Sequence, residues 1–309
     1  MKNKPVSLLF YAAVVFSVAV YFRSIDVSKL EGVRFSLPLL LVSTAVAVLF
    51  RFWGCAVWLL LLRSMGVENF PDLMMLVYAY AKSWLGRYIP GTVVWIFGKV
   101  YFASKLGVSR NKLAVSSVVE GGAQVAVLMV LSCLSLLMAG EFALVVPALR
   151  VAMICIVTVI LLTLYPPVFN RLLGLAVSIT RKPVDASQVQ VGFPTLMRAF
   201  LLYGVGFFLS GLSYFFFATS ITDTLGWENF WFLLGAFNLA GAVGIAAVFV
   251  PSGLFVREGL QVLLLSAVVP VEMALVISIS SRVWSLLVDL LFFITAYVLK
   301  GLHLSPDIQ

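Results

Sequence analysis

Histidine occurs once in this chain, as His303, and cysteine three times, as Cys55, Cys133 and Cys155. A single histidine leaves no His-based metal site or catalytic triad to assemble. The cysteines lie inside apolar segments without metal or redox spacing and read as small buried hydrophobes. Charge is also scarce: Asp, Glu, Lys and Arg make up 11% of the residues, against about 25% in an ordinary soluble domain. There is no glycine-rich phosphate loop and no pair of aspartates in a catalytic arrangement. These absences argue against an enzyme, a cofactor, a metal site and ATP hydrolysis within this chain.

What is present is apolar sequence. The chain of 309 residues is 62% hydrophobic, with a mean hydropathy of +1.11. That length holds roughly six to eight membrane spans of ~20 residues each, with little over for a soluble domain. The expected fold is therefore all-α: a polytopic integral membrane protein forming a single transmembrane domain over 1–309. The net charge of +8 would suggest nucleic acid in a soluble protein. Here the basic residues cluster in short gaps between apolar runs, so a positive-inside bias is the better reading and no nucleic-acid partner is expected.

The apolar segments run Val6–Phe22, Ser36–Leu62, Asp72–Leu85, Thr92–Ala103, Leu113–Met138, Phe142–Tyr165, Pro194–Ile221, Asn229–Val250, Glu258–Val269 and Val271–Leu299. Lys2 and Lys4 precede the first without a small-residue cleavage site, which predicts a retained first span. Thr92–Ala103 and Glu258–Val269 are about 12 residues, or ~18 Å as helix, too short for ~30 Å of hydrocarbon. Each follows a Pro/Gly break, Ile89-Pro90-Gly91 and Pro251-Ser252-Gly253. The pattern predicts about six full spans plus two re-entrant helical hairpins, Asp72–Ala103 and Asn229–Val269, although Asn229–Val250 is long enough to cross. With both termini inside, the strongest basic loops fall on the inner face and the acidic ones outside, apart from the mildly basic Arg23–Arg34 gap. Leu173–Thr180 reads as a short helix lying on the inner surface, followed by a polar loop.

Gly66-Val67-Glu68-Asn69-Phe70 precedes the first hairpin and Gly226-Trp227-Glu228-Asn229-Phe230 the second, at nearly equal distances from their breaks. Entering from opposite faces, 66–138 and 226–299 would form an inverted repeat, an arrangement transporters use to place a midplane site between half-helices.

The run Arg87-Tyr88-Ile89-Pro90-Gly91-Thr92-Val93-Val94-Trp95, then Gly107-Val108-Ser109 and Glu120, resembles the lysylphosphatidylglycerol synthase transmembrane-region family. Pro251-Ser252-Gly253-Leu254-Phe255-Val256-Arg257-Glu258-Gly259 resembles that family's second signature. The likeness covers about Ser36 to Leu299. It implies a flippase-type domain in a prokaryotic cytoplasmic membrane. Its partners would be a membrane phospholipid or polyprenyl-linked lipid and a lipid-modifying enzyme. No soluble aminoacyl-transferase domain follows Leu299, so the resemblance implies lipid handling rather than lysyl transfer. Phe255 stands where the family commonly has glycine, and Ser252 adjoins Gly253 in place of paired glycines. Both departures imply a stiffer second hairpin or a narrower cavity.

An anionic headgroup at membrane depth calls for cations and free backbone N–H groups. Helix N-termini after Pro90-Gly91 and Ser252-Gly253 are candidates for the N–H groups. Arg87, Lys99 and Arg257 are candidates for the cations; Arg87 and Lys99 can instead snorkel to the inner headgroup layer. Glu258 can compensate Arg257, meet a cation on another helix or meet a headgroup amine. Glu120, with Gln124 one turn on, can bind an amine, carry a coupling proton, or pair with Arg87 or Arg282. Arg282 and Asp289, two turns apart, are expected to face the bundle interior, and Arg150 to snorkel outward, while Arg51 can do either. The predicted substrate-binding set is Arg87, Pro90, Gly91, Lys99, Glu120, Gly253, Arg257, Glu258 and Arg282. Trp53, Trp58, Trp84, Trp95, Trp227 and Trp231 read mainly as interfacial anchors. The small residues from Gly235 to Gly244 read as a close-packing face. Competing functions are secondary transport of a small anion and a non-catalytic membrane partnership with a glycosyltransferase.

Overall fold

A computed structural model describes residues 33–67, 72–88, 94–139, 147–163, 193–247 and 255–304, with isolated positions including Gly253. Nine α-helices occur among these residues. They are α1 (Leu37–Ser64), α2 (Leu73–Trp84), α3 (Val94–Ser104), α4 (Arg110–Met138), α5 (Pro147–Thr163), α6 (Phe193–Thr219), α7 (Phe230–Ala246), α8 (Val256–Leu265) and α9 (Val271–Leu304). A 3-10 turn, Leu85–Tyr88, ends α2, and another, Trp227–Asn229, opens α7. The one extended pairing among these residues is an isolated bridge between Val33 and Thr222. Hydrocarbon offers no water to free backbone groups, and helices satisfy theirs internally.

Five helical stretches are long and apolar enough to cross a bilayer: Leu37–Ser64, Arg110–Met138, Leu196–Thr219, Trp227–Ala246 and Val271–His303. The fold is thus that of a polytopic helical membrane protein. Their lipid side is visible in α9, where Leu287, Leu291 and Ile294 are exposed. So are Val151, Ile154 and Leu162 on α5. The count differs from the sequence expectation in two places. The helix expected over Phe142–Tyr165 is 17 residues long, about 26 Å at helical rise. The segment expected as a hairpin arm stays helical for 20 residues, Trp227–Ala246. Val6–Phe22 and Leu173–Thr180 lie outside the described residues.

Packing is built from antiparallel pairs tied by small polar side chains. Along α1 and α6, the Ser43 hydroxyl donates to the Ser213 carbonyl at 2.8 Å. Further along, the Trp53 indole donates to the Leu202 carbonyl at 2.7 Å. Along α4 and α7, the Ser135 hydroxyl donates to the Trp231 carbonyl at 2.7 Å. A Cβ on Gly235 would stand only 3.0 Å from the Ser132 carbonyl, so glycine there sets the approach of the two helices. At one end of the bundle Arg34 donates its backbone N–H to Ile221 and pairs with Asp223 at 3.2 Å. That partner neutralises part of the excess basic charge in the Arg23–Arg34 gap. At the opposite end Lys112 donates to the Gly66 carbonyl at 2.9 Å. α9 runs beside α1, with Trp284 bonded to Thr44 at 3.1 Å and Phe292 packed edge-on to Phe52. This brings the middle of α9 against the middle of α1, beside α2 and its 3-10 turn.

Candidate functional site: a cationic cleft inside the bundle

Three charge clusters meet in the bundle interior, and each joins different helices. The first is a buried ion pair between Lys99 of α3 and Glu120 of α4, their side chains 1% and 3% exposed. The Tyr80 hydroxyl donates to the same carboxylate at 3.0 Å. The Lys99 ammonium also faces the rings of Trp58, Tyr80 and Trp95 at 5.4, 4.9 and 4.6 Å. Three aromatic faces and one carboxylate thus replace the water an ammonium would otherwise hold. Lys99 therefore does not snorkel, and the partner of Glu120 is neither Arg87 nor Arg282.

The second cluster surrounds Asp289, wholly buried on α9. Arg51 of α1 donates its Nε to Oδ1 at 2.6 Å, and the Trp84 indole donates to the same oxygen at 3.1 Å. Tyr88 donates its hydroxyl to Oδ2 at 2.6 Å, and Arg87 stands 3.9 Å from that oxygen. One carboxylate thereby gathers α1, the end of α2 and the 3-10 turn around α9. The Arg87 guanidinium lies over the Trp84 ring at 4.7 Å.

The third cluster links Glu258 of α8 to Arg282 of α9 at 3.5 Å. Glu258 also accepts the backbone N–H of Phe255 at 2.6 Å, capping the first turn of α8. At the helix N-terminus expected after Ser252-Gly253, a carboxylate of the same helix thus occupies the amide of the N-cap residue. Phe255 itself sits at φ +68°, in the left-handed region that favours glycine. Just before it, Gly253 has φ +63°, and a Cβ there would lie 2.6 Å from the Gly244 Cα. The start of α8 is thus pressed backbone-to-backbone on α7.

Arg257 belongs to none of these clusters. It is buried on α8, with its guanidinium over the Phe237 ring at 4.7 Å. No carboxylate within ion-pair distance and no hydrogen bond accompany it among the described residues. Arg282, Arg87 and Arg51 repel it, while Glu258 attracts it.

Between the clusters lies a cleft of about 120 Å³ that some of these residues line. Arg51, Arg87 and Arg257 line it, with Gln124, Ser210 and Asn238 as neutral polar groups. Gly121 and Gly241 open it, since a Cβ on either would meet nothing within 4 Å. A smaller void of about 20 Å³ shares Arg51, Trp84 and Gln124 with the cleft and reaches Glu120 and Tyr203, with room for one water among polar groups.

Of the predicted set, Arg87 and Arg257 line the cleft, and Gly253 borders it. Lys99 and Glu120 form a closed pair beside it, and Glu258 and Arg282 pair with each other. Pro90 and Gly91 lie outside the described residues. Sequence reasoning left Arg51 undecided and did not anticipate the Tyr88, Tyr80 and Trp84 contacts. The interfacial reading of the tryptophans is corrected for three of them. Trp58 is completely buried and bonded to Ser116, Trp84 is bonded to Asp289, and Trp95 faces Lys99. An indole both fills interior volume and carries a donor, so proximity to a segment end does not tell the two uses apart. Comparison of the chain with protein-family models, with curated proteins and with solved structures finds no match.

Proposed function

We propose that this chain moves an anionic lipid, or a lipid-linked headgroup, between the leaflets of a membrane. The observation that carries the reading is Arg257, a buried guanidinium without a carboxylate partner among the described residues, opening on a cleft it shares with Arg51 and Arg87. Charge at membrane depth is costly and concentrates where substrates pass. Guanidinium forks match phosphate oxygens. The headgroup would cross through the cleft while its acyl chains stay in lipid.

Two short elements support the hairpin reading. α2 and α3, of 12 and 11 residues, pack together and would form one re-entrant hairpin. α7 and the 10-residue α8 would form the second, entering from the opposite face. With 66–138 and 226–299 as inverted repeats, the cleft lies where the two hairpins face each other. The end carrying Arg63, Lys112 and Lys300 would face the cytoplasm. The motif resemblance to the lysylphosphatidylglycerol synthase transmembrane region points to the same activity in a prokaryotic inner membrane, without chemistry performed by this chain. A cleft of about 120 Å³ also admits a small soluble anion, which makes anion transport the reading to test against.

The test is leaflet exchange of headgroup-labelled phospholipids in proteoliposomes, comparing the native protein with Arg257→Ala at matched reconstitution. Exchange that this substitution abolishes in a folded protein supports the proposal. Full exchange in both Arg257→Ala and Glu120→Gln sinks the site. No exchange across anionic and isoprenoid lipids sinks lipid movement.

A further inference from the structure

The charges around the cleft do not balance. From α9, Asp289 supplies one negative charge to two cations, Arg51 of α1 and Arg87 of the 3-10 turn, which leaves one positive charge. Lys99 and Glu120 cancel whichever of them holds the proton, and Arg282 of α9 cancels Glu258 of α8. The described cleft lining from α6 and α7 contributes no ionisable group. Arg257 adds a second positive charge. Among the described residues the excess is therefore two positive charges, in a place where hydrocarbon and packed side chains hold off counter-ions.

Donor geometry agrees with the charge count. Arg51 uses its Nε on Asp289, and Arg87 stands only at ion-pair range from the same carboxylate. Three guanidinium groups face one space with more N–H donors than the protein's own acceptors consume. A phosphate diester offers two terminal oxygens and one charge. A phosphate monoester, or the end of a diphosphate, offers three terminal oxygens and close to two charges at neutral pH.

Resting on the lipid reading above, we propose that the cleft selects a dianionic phosphate end group, a monoester or diphosphate, over the singly charged diester of ordinary phospholipids. The same chemistry could reach the cleft on a lipid or on a soluble phosphate monoester, so both sources belong in the test.

Proteoliposomes would carry phosphatidic acid or phosphatidylglycerol with the same tail-labelled acyl chains, and protein-free liposomes would supply the background to subtract. Uptake of glycerol 3-phosphate would be measured in parallel. The expected result is exchange of phosphatidic acid at least about tenfold faster than phosphatidylglycerol. That preference should grow between pH 5.5 and 8 as the monoester takes its second charge, with a pKa of about 6. Arg257→Gln should shrink it to about twofold. Glycerol 3-phosphate uptake without lipid exchange would keep the dianion selectivity and replace the lipid source with a soluble one. Equal exchange of both lipids overturns the dianion selectivity and leaves lipid movement standing. Movement of neither lipid and no uptake overturns both.

Discussion

The Lys99–Glu120 pair permits a stability test that does not depend on the substrate. Both side chains are almost fully buried, and the carboxylate has a second donor in Tyr80. Removing one member of such a pair leaves an uncompensated charge and costs about 3–5 kcal/mol, whereas replacing both by groups of similar volume is often close to neutral. Lys99→Met keeps the volume between Trp58, Tyr80 and Trp95 and gives sulfur–aromatic contacts. Glu120→Gln keeps an acceptor for the Tyr80 hydroxyl. Each single variant should therefore lose about 3–5 kcal/mol, and the double variant only about 1–2, a coupling of about 4 kcal/mol or more.

The assay is thermal unfolding of the four purified proteins in one detergent. At ~2–4 °C per kcal/mol, the single variants should melt about 6 to 20 °C below the native protein, and the double variant should recover most of that loss. If the two losses simply add, Lys99 and Glu120 are not coupled and the buried pair is refuted. Losses below about 1 kcal/mol in both single variants would instead describe an exposed pair.

Gly253→Ala should cost more than about 3 kcal/mol, because the left-handed φ and the Gly244 backbone exclude a Cβ together; an unchanged melting temperature would refute the contact between α7 and the start of α8. Gly241→Val and Gly121→Val have open space at the Cβ; stability should stay within about 1 kcal/mol, since losing glycine inside a helix offsets the added branching, while lipid exchange falls at least about tenfold. Exchange at the native rate in both would show that substrate does not pass through the cleft. The Tyr214 hydroxyl is buried without a hydrogen-bond partner among the described residues, so Tyr214→Phe should stabilise the protein by about 1 kcal/mol, read as a higher melting temperature at unchanged exchange.

The membrane class was legible because it depends on composition, which survives any arrangement of the helices. The short elements were legible for a related reason: a proline beside a glycine marks a break in a helical run, and the remaining lengths follow by counting. What could not be counted was how far a helix runs before its break. Asn229–Val250 is uniformly apolar, so the sequence carried no mark separating an arm from a complete crossing. The tryptophans failed for a different reason. Position along a segment fixes depth, but the direction a ring faces depends on helix rotation, which a stretch apolar on all sides does not encode.

Charge pairing shows the same limit residue by residue. Lys99 finds Glu120, Arg51 finds Asp289, and Glu258 finds Arg282, each across two helices and up to 238 positions of sequence. Spacing along one helix could say that Arg282 and Asp289 share a face, but not that they would take different partners. Elimination works better than pairing here. A cation inside such a chain must find an acid, water or a substrate, and among the described residues Arg51 and Arg87 share Asp289 while Lys99 and Arg282 each have a carboxylate of their own. Arg257 has an aromatic face in place of an acid, and a ring quadrupole offsets only part of what burying a guanidinium costs. On the proposed reading, the remainder is met by an anionic group that enters the cleft. That requirement, more than the shape of the cavity, makes Arg257 the position at which transport and stability should separate. Its loss should relieve the folded protein of an unpaired charge and deprive the substrate of its anchor.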